Sequence, residues 1–223
     1  MKNYKIILLF LLTMMGQYLT AQTEVKKPAE AFEMFFGTFV NNEDTALNKL
    51  NEYLKPTVDG QIAYQVNFKE TSEEMINTSV ENFLAAFPKT TAVACKKEAE
   101  EYFIAMFANF KKGKLIVKNV KVVPNESVEG QKIAEISYTV NFKVPSKLTS
   151  GPEGDIQKVK PEDLKKYLTQ AVQDFKNADK TVTTDQEFKL YELKEGGKIY
   201  YWNGSPDEIV SNLTDFYFES FGS

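Results

Sequence analysis

Ile133-Ala134-Glu135-Ile136-Ser137-Tyr138-Thr139-Val140-Asn141-Phe142-Lys143-Val144 alternates polar and apolar residues without a break from Glu135 onward. On an extended backbone, Ile136, Tyr138, Val140, Phe142 and Val144 fall on one side and Glu135, Ser137, Thr139, Asn141 and Lys143 on the other. Five apolar side chains in register need a covering layer, while the opposite side tolerates water. This is a half-buried strand, and it predicts an α+β fold in which helices roof one face of an antiparallel sheet.

The flanks supply the neighbouring strands. Over 114–123, Leu115 and Val117 alternate with Ile116, but Val120 and Val122 share the phase of Ile116, a slip that predicts a bulge near Asn119. A polar turn over 125–130 makes 114–123 and 133–144 a hairpin. Residues 145–160, centred on Ser150-Gly151-Pro152 and Gly154, read as a flexible loop. Pro161 then opens a helix with Leu164, Leu168, Ala171, Val172 and Phe175 on one face. Strands over 181–193 and 198–202 follow, joined at Glu195-Gly196-Gly197. Ser205-Pro206-Asp207-Glu208 has the form of a capping box for a terminal helix carrying Ile209, Val210, Leu213, Phe216 and Tyr217.

The N-terminal half is mostly helical. Pro28 opens a helix with Phe32, Phe36, Phe39 and Val40 at helical spacing, and Asn41-Asn42 interrupts it. Asp44 is placed to cap a second helix with Leu47, Leu50 and Leu54 on one face, ended by Pro56. Tyr64, Val66 and Phe68 alternate with polar residues and predict a strand over 64–69. A helical stretch over 73–112 follows, with Thr71 and Glu74 as its capping box and Thr90 or Thr91 capping its second half. Lys111-Lys112-Gly113 stops it.

Pro28-Ala29-Glu30-Ala31-Phe32 with Phe36, then Asp44 and the helix running to Pro56, resembles the paired N-terminal helices of the nuclear-transport-factor-like, cystatin-like superfamily. The strand after Ala134, and Tyr191 through Gly196-Gly197-Lys198 to Trp202, are similar to its late strands. The resemblance spans about half of the chain beyond residue 21. It departs from the superfamily at 73–112, a helical insertion, and at the helix after Trp202. It implies a curved antiparallel sheet wrapped around helices into a cone whose mouth often holds a small ligand.

Composition bounds the chemistry. Lys2 and Lys5, an apolar run over 6–15 and Leu19-Thr20-Ala21 have the parts of a secretory signal peptide over 1–21, cut before Gln22. The expected product, 22–223, is one exported α+β domain, periplasmic or extracellular in a bacterium. Loss of Lys2 and Lys5 takes the formal charge from −4 to −6, which suits no nucleic-acid partner. One cysteine, Cys95, permits no internal disulfide and reads as a small buried residue. The absence of histidine removes Ser-His and Cys-His catalysis and His-containing zinc sites. Asp155, Asp163, Asp185, Glu187 and Glu192 lie outside apolar runs and read as solvated carboxylates. No catalytic residue, cofactor or metal is expected.

Three functions stay open. One is a non-enzymatic module whose cone, lined by Tyr64, Phe68, Tyr138 and Phe142, takes a small apolar ligand. Another is an envelope interaction protein or homodimer that docks through Tyr201 and the C-terminal helix. The third is a His-free lyase or isomerase.

Overall fold

Strand β3 (Lys132–Val144) lies inside the sheet between the edge strand β2 (Lys114–Pro124) and β4 (Lys180–Glu195), antiparallel to both. Beyond β4, β5 (Lys198–Trp202) pairs antiparallel, and the two-residue β1 (Thr23–Glu24) adds to β5 in parallel. The computed structural model describes residues 23–221, so the expected leader over 1–21 lies outside the described residues. The sheet is open and curved and the class is α+β, as the alternating pattern requires.

Seven α-helices among the described residues pack around it. α1 (Pro28–Phe39) and α2 (Asp44–Leu54) form an N-terminal pair. α3 (Phe68–Leu84), α4 (Lys89–Ala94) and α5 (Lys96–Phe110) fill the helical stretch. α6 (Pro161–Lys176) connects β3 to β4, and α7 (Asp207–Glu219) closes the chain. No helix among the described residues is long and apolar enough to cross a membrane.

The alternation in β3 sorts as its chemistry demands. Ile136, Tyr138, Val140, Phe142 and Val144 are all buried, Tyr138 at 1 % and Phe142 at 0 % exposure. Aromatic rings from three helices meet them. Phe32 of α1 lies 4.7 Å from Tyr138, Phe110 of α5 stacks 5.4 Å from Phe142, and Tyr217 of α7 packs 5.3 Å from Phe142. Centroid spacings of 4.5–7 Å are those that aromatic quadrupoles favour. The opposite face carries polar pairs: Thr139 donates to Asp185, Thr183 Oγ1 donates to Asn141 Oδ1 at 2.7 Å, and Lys121 faces Glu135 at 3.9 Å. The β2 bulge falls where the phase slips, since Val117 pairs with Tyr138 and Asn119 with Ser137, leaving Lys118 as the extra residue.

Several boundaries differ from the sequence expectation. Residues 64–67 form no strand, and Phe68 opens α3. The Asn51 side chain takes the backbone that a neighbouring strand would otherwise pair: Tyr64 N–H donates to Asn51 Oδ1 at 2.8 Å, and Asn51 Nδ2 donates to Tyr64 O at 2.9 Å. The cap of α3 is therefore Asn67, whose Oδ1 accepts from Glu70 N–H at 3.2 Å, four residues before the start of the Thr71-Glu74 box. Asp44 is the first helical residue of α2 after Glu43, and Ser205 does not cap α7, because Pro206 holds the cap position. The second helix of the insertion divides at Cys95, where ψ reaches 7°. Cys95 is fully buried, as expected of a small apolar residue. Thr91 is buried within α4 and donates to Val159 O at 2.8 Å. The 145–160 segment is tied down by Thr149, whose Oγ1 donates to Asp174 at 2.6 Å, and by Ser146, which bonds Asp179.

Glu192 is a further correction. It is 4 % exposed, on the same side of β4 as Phe188 and Leu190, and its carboxylate pairs with Lys194 Nζ at 3.3 Å. The 16-residue β4 continues past the end of β3's pairing, and this carboxylate is covered there with Lys194 as its counter-charge.

Two consequences are measurable. Phe142→Ala removes a ring packed on several sides and is expected to cost about 3–5 kcal/mol, whereas Ile116→Ala, at a 43 % exposed position, costs under about 0.5 kcal/mol. Denaturant unfolding followed by the fluorescence of Trp202, the sole tryptophan, checks this, and equal losses contradict the assigned faces. Burial also pushes the hydroxyls of Tyr64, Tyr102, Tyr138 and Tyr217 far above the ordinary tyrosine range. Because the folded pKa is raised, their contribution is fully present below the unfolded value of about 10 and is lost as pH rises above it. Tyrosinate absorbance is expected to show these four ionising only with unfolding, and a smooth titration of every tyrosine in the folded state contradicts their burial.

Candidate functional site

The expected ligand cone is occupied by the protein's own rings. Tyr138 and Phe142 are enclosed by Phe32, Phe110 and Tyr217, leaving them no face toward a ligand. Tyr201 is likewise buried at 4 %, and its N–H donates to Tyr53 Oη at 2.7 Å, so it is a core residue and not a docking surface. Tyr64 is half-buried as a brace. Its ring packs edge-on to Phe39 at 5.2 Å, and its hydroxyl donates to Asn203 O at 2.6 Å. Burial raises its pKa, partly offset by a hydrogen bond from Trp202.

An apolar groove instead opens at the edge of the roof, where helix ends converge around a cavity of about 290 Å³. The end of α1 contributes Phe39 and Val40, and α3 with its lead-in contributes Val66, Phe68 and Met75. The end of α5 adds Phe107 and Phe110, and α7 adds Val210, Thr214 and Phe218. Of the four expected ligand contacts, Phe68 alone borders this groove.

Local chemistry explains why these elements stop there. Asn42 at the α1–α2 elbow takes a left-handed φ of 55°, a conformation asparagine accepts more readily than most residues. Its neighbour Asn41 ties the elbow to the end of α5, Nδ2 donating to Lys111 O at 2.8 Å and to Gly113 O at 3.0 Å. Gly113 is required because a Cβ there would sit 2.5 Å from the Phe142 ring. The chain thus passes directly over the core ring and leaves Lys111 beside the groove.

Lys111 is the polar feature of the site. It is half-buried, its Nζ donates to Ser72 Oγ at 2.7 Å, and burial lowers its pKa. Among the described residues no carboxylate lies within 4.0 Å of it. Sequence reasoning treated Lys111 only as a helix-stop signal. Its partner Ser72 is 39 residues away, and a strand over 64–69 placed the groove's α3 wall in the wrong element.

Two larger concavities are bordered chiefly by charged and polar side chains. One of about 640 Å³ along α1 and α2 is bordered by Lys26, Glu30, Glu33, Glu43, Lys49 and Glu52. Another of about 720 Å³ lies over Lys118, Asp185 and Glu187 on the polar side of the sheet. Both are wide-mouthed, charged and solvated. Among the described residues, no group of three or more Cys, Asp or Glu side chains is placed to hold a metal ion.

Asn41→Ala is expected to cost about 1–3 kcal/mol, because it strips two partly buried carbonyls of their donor. A denaturation midpoint equal to wild type contradicts the tie. Comparison of the chain with family models, with curated proteins and with solved structures finds no match.

Proposed function

We propose that the protein is an exported, non-enzymatic binding module that holds a small apolar molecule in the groove between α1, α3, α5 and α7. One observation carries this reading: the cone interior is filled by aromatic side chains, while the groove is an open concavity whose lining is chiefly apolar. Ligand sites generally combine apolar walls with a few placed polar groups, which is the composition here. The leader-like pattern over 1–21 supports export, and the lack of histidine supports a role without acid–base turnover.

Size limits the guest. At about 30 Å³ for each water-sized group, the groove holds roughly ten heavy atoms. At roughly 0.5 kcal/mol per atom, such a ligand gains about 5 kcal/mol, a Kd on the order of 0.1–1 mM. A tighter natural ligand would extend past the mouth.

Titration of octan-1-ol into protein carrying 13C-methyl methionine tests the site. The Met75 methyl is expected to shift saturably, and Val210→Phe, which fills the groove from α7, is expected to abolish the shift while the thermal midpoint stays within a few degrees. A Met75 resonance unmoved by octan-1-ol, or a Val210→Phe variant that binds as wild type does, contradicts the reading.

A further inference from the structure

We infer that the groove selects an anionic head, and that its ligand is a small monocarboxylate with a hydrocarbon or aryl tail, the carboxylate meeting Lys111 and the tail lying along Phe68, Met75 and Val210. This rests on the groove being the ligand site. The occupant follows from an uncompensated charge. An ammonium group has three donors and no acceptor, and among the described residues Lys111 Nζ has a single hydrogen-bond partner, the neutral Ser72 Oγ at 2.7 Å. Every carboxylate among the described residues is beyond 4.0 Å. A cation partly removed from water beside apolar walls is costly without a partner, and a carboxylate supplies a charge-assisted hydrogen bond there. Burial lowers the Lys111 pKa, which is the sign of a charge not offset by its surroundings.

The same geometry limits the charge to one. Among the described residues Lys111 is the only basic side chain on the groove wall, and the exposed Asp207 borders the same groove and opposes a second negative group. Phosphate recognition usually enlists Arg forks or several cationic donors, and among the described residues the wall has no Arg and a single Lys. Octanoate and 3-phenylpropanoate, with ten and eleven heavy atoms, match a space for roughly ten, and they separate an alkyl from an aryl source.

The test compares octanoate, 3-phenylpropanoate and octan-1-ol by calorimetry and by the Met75 methyl shift, on wild type, Lys111→Gln and Lys111→Arg, each with its thermal midpoint recorded. At least one carboxylate is expected to bind wild type tenfold or more tightly than octan-1-ol. Lys111→Gln is expected to erase that tenfold preference by weakening the acids far more than octan-1-ol, and Lys111→Arg to keep it. Equal affinity of acid and alcohol for wild type, or a preference that survives Lys111→Gln, overturns the head-group assignment and leaves the groove standing. If no compound moves Met75, both fall. Sedimentation showing self-association that Val210→Phe abolishes, with no binding of either acid, assigns the groove to a second copy and overturns the inference.

Discussion

The structure turns on the need to keep water from one face of β3. Ile136, Tyr138, Val140, Phe142 and Val144 present a continuous apolar strip, and each large side chain gains about 1.5–3 kcal/mol when fully covered. No single helix spans that strip. α1 covers Tyr138 through Phe32, α5 covers Phe142 through Phe110, and α7 reaches Phe142 from another side through Tyr217. Rings of this size interdigitate until the interior is full. Between its sheet and its helices the protein encloses its own aromatics.

The groove is a consequence of that close cover. Gly113 passes over the Phe142 ring at a distance that excludes any Cβ, so α5 must end before it. α1 must end at the Asn41-Asn42 elbow to let α2 turn back, and Asn41 binds these two endings together. α7 begins after the chain leaves β5, and its Val210 and Phe218 complete the wall. Helix ends converge there without covering one another. A lysine stationed at one of those ends becomes a partly buried cation with no counter-charge.

Much of the fold was legible because its signals are local. The strict period of two in β3, the phase slip in β2 and the Gly196-Gly197 turn are each contained within a few residues. The stripe Leu164, Leu168, Ala171, Val172 and Phe175 is equally self-contained, and all five are buried. The strand read over 64–69 failed because its alternation was short, and the side chain of Asn51, outside the segment, took its backbone groups. Glu192 was misjudged because the end of β4 pairs with β5, setting Tyr201 beside it, an arrangement that leaves no mark in the local sequence. The site was hidden for the same reason at larger scale. Lys111 and Ser72 are distant in sequence, and whether Phe142 faces a guest or another ring depends on how three helices meet above it. Tyr201 was read as a docking residue because its strand is aromatic on both sides, yet it is buried and its N–H donates to Tyr53 Oη.

Diffraction from crystals pressurised with xenon tests the central claim without assuming any ligand, since xenon enters empty apolar cavities of this kind. Xenon density among Phe68, Met75 and Val210, with none between β3 and its helices, is the predicted result. Density beside Tyr138 and Phe142 with the groove unoccupied would show that the interior is the cavity and the groove is not.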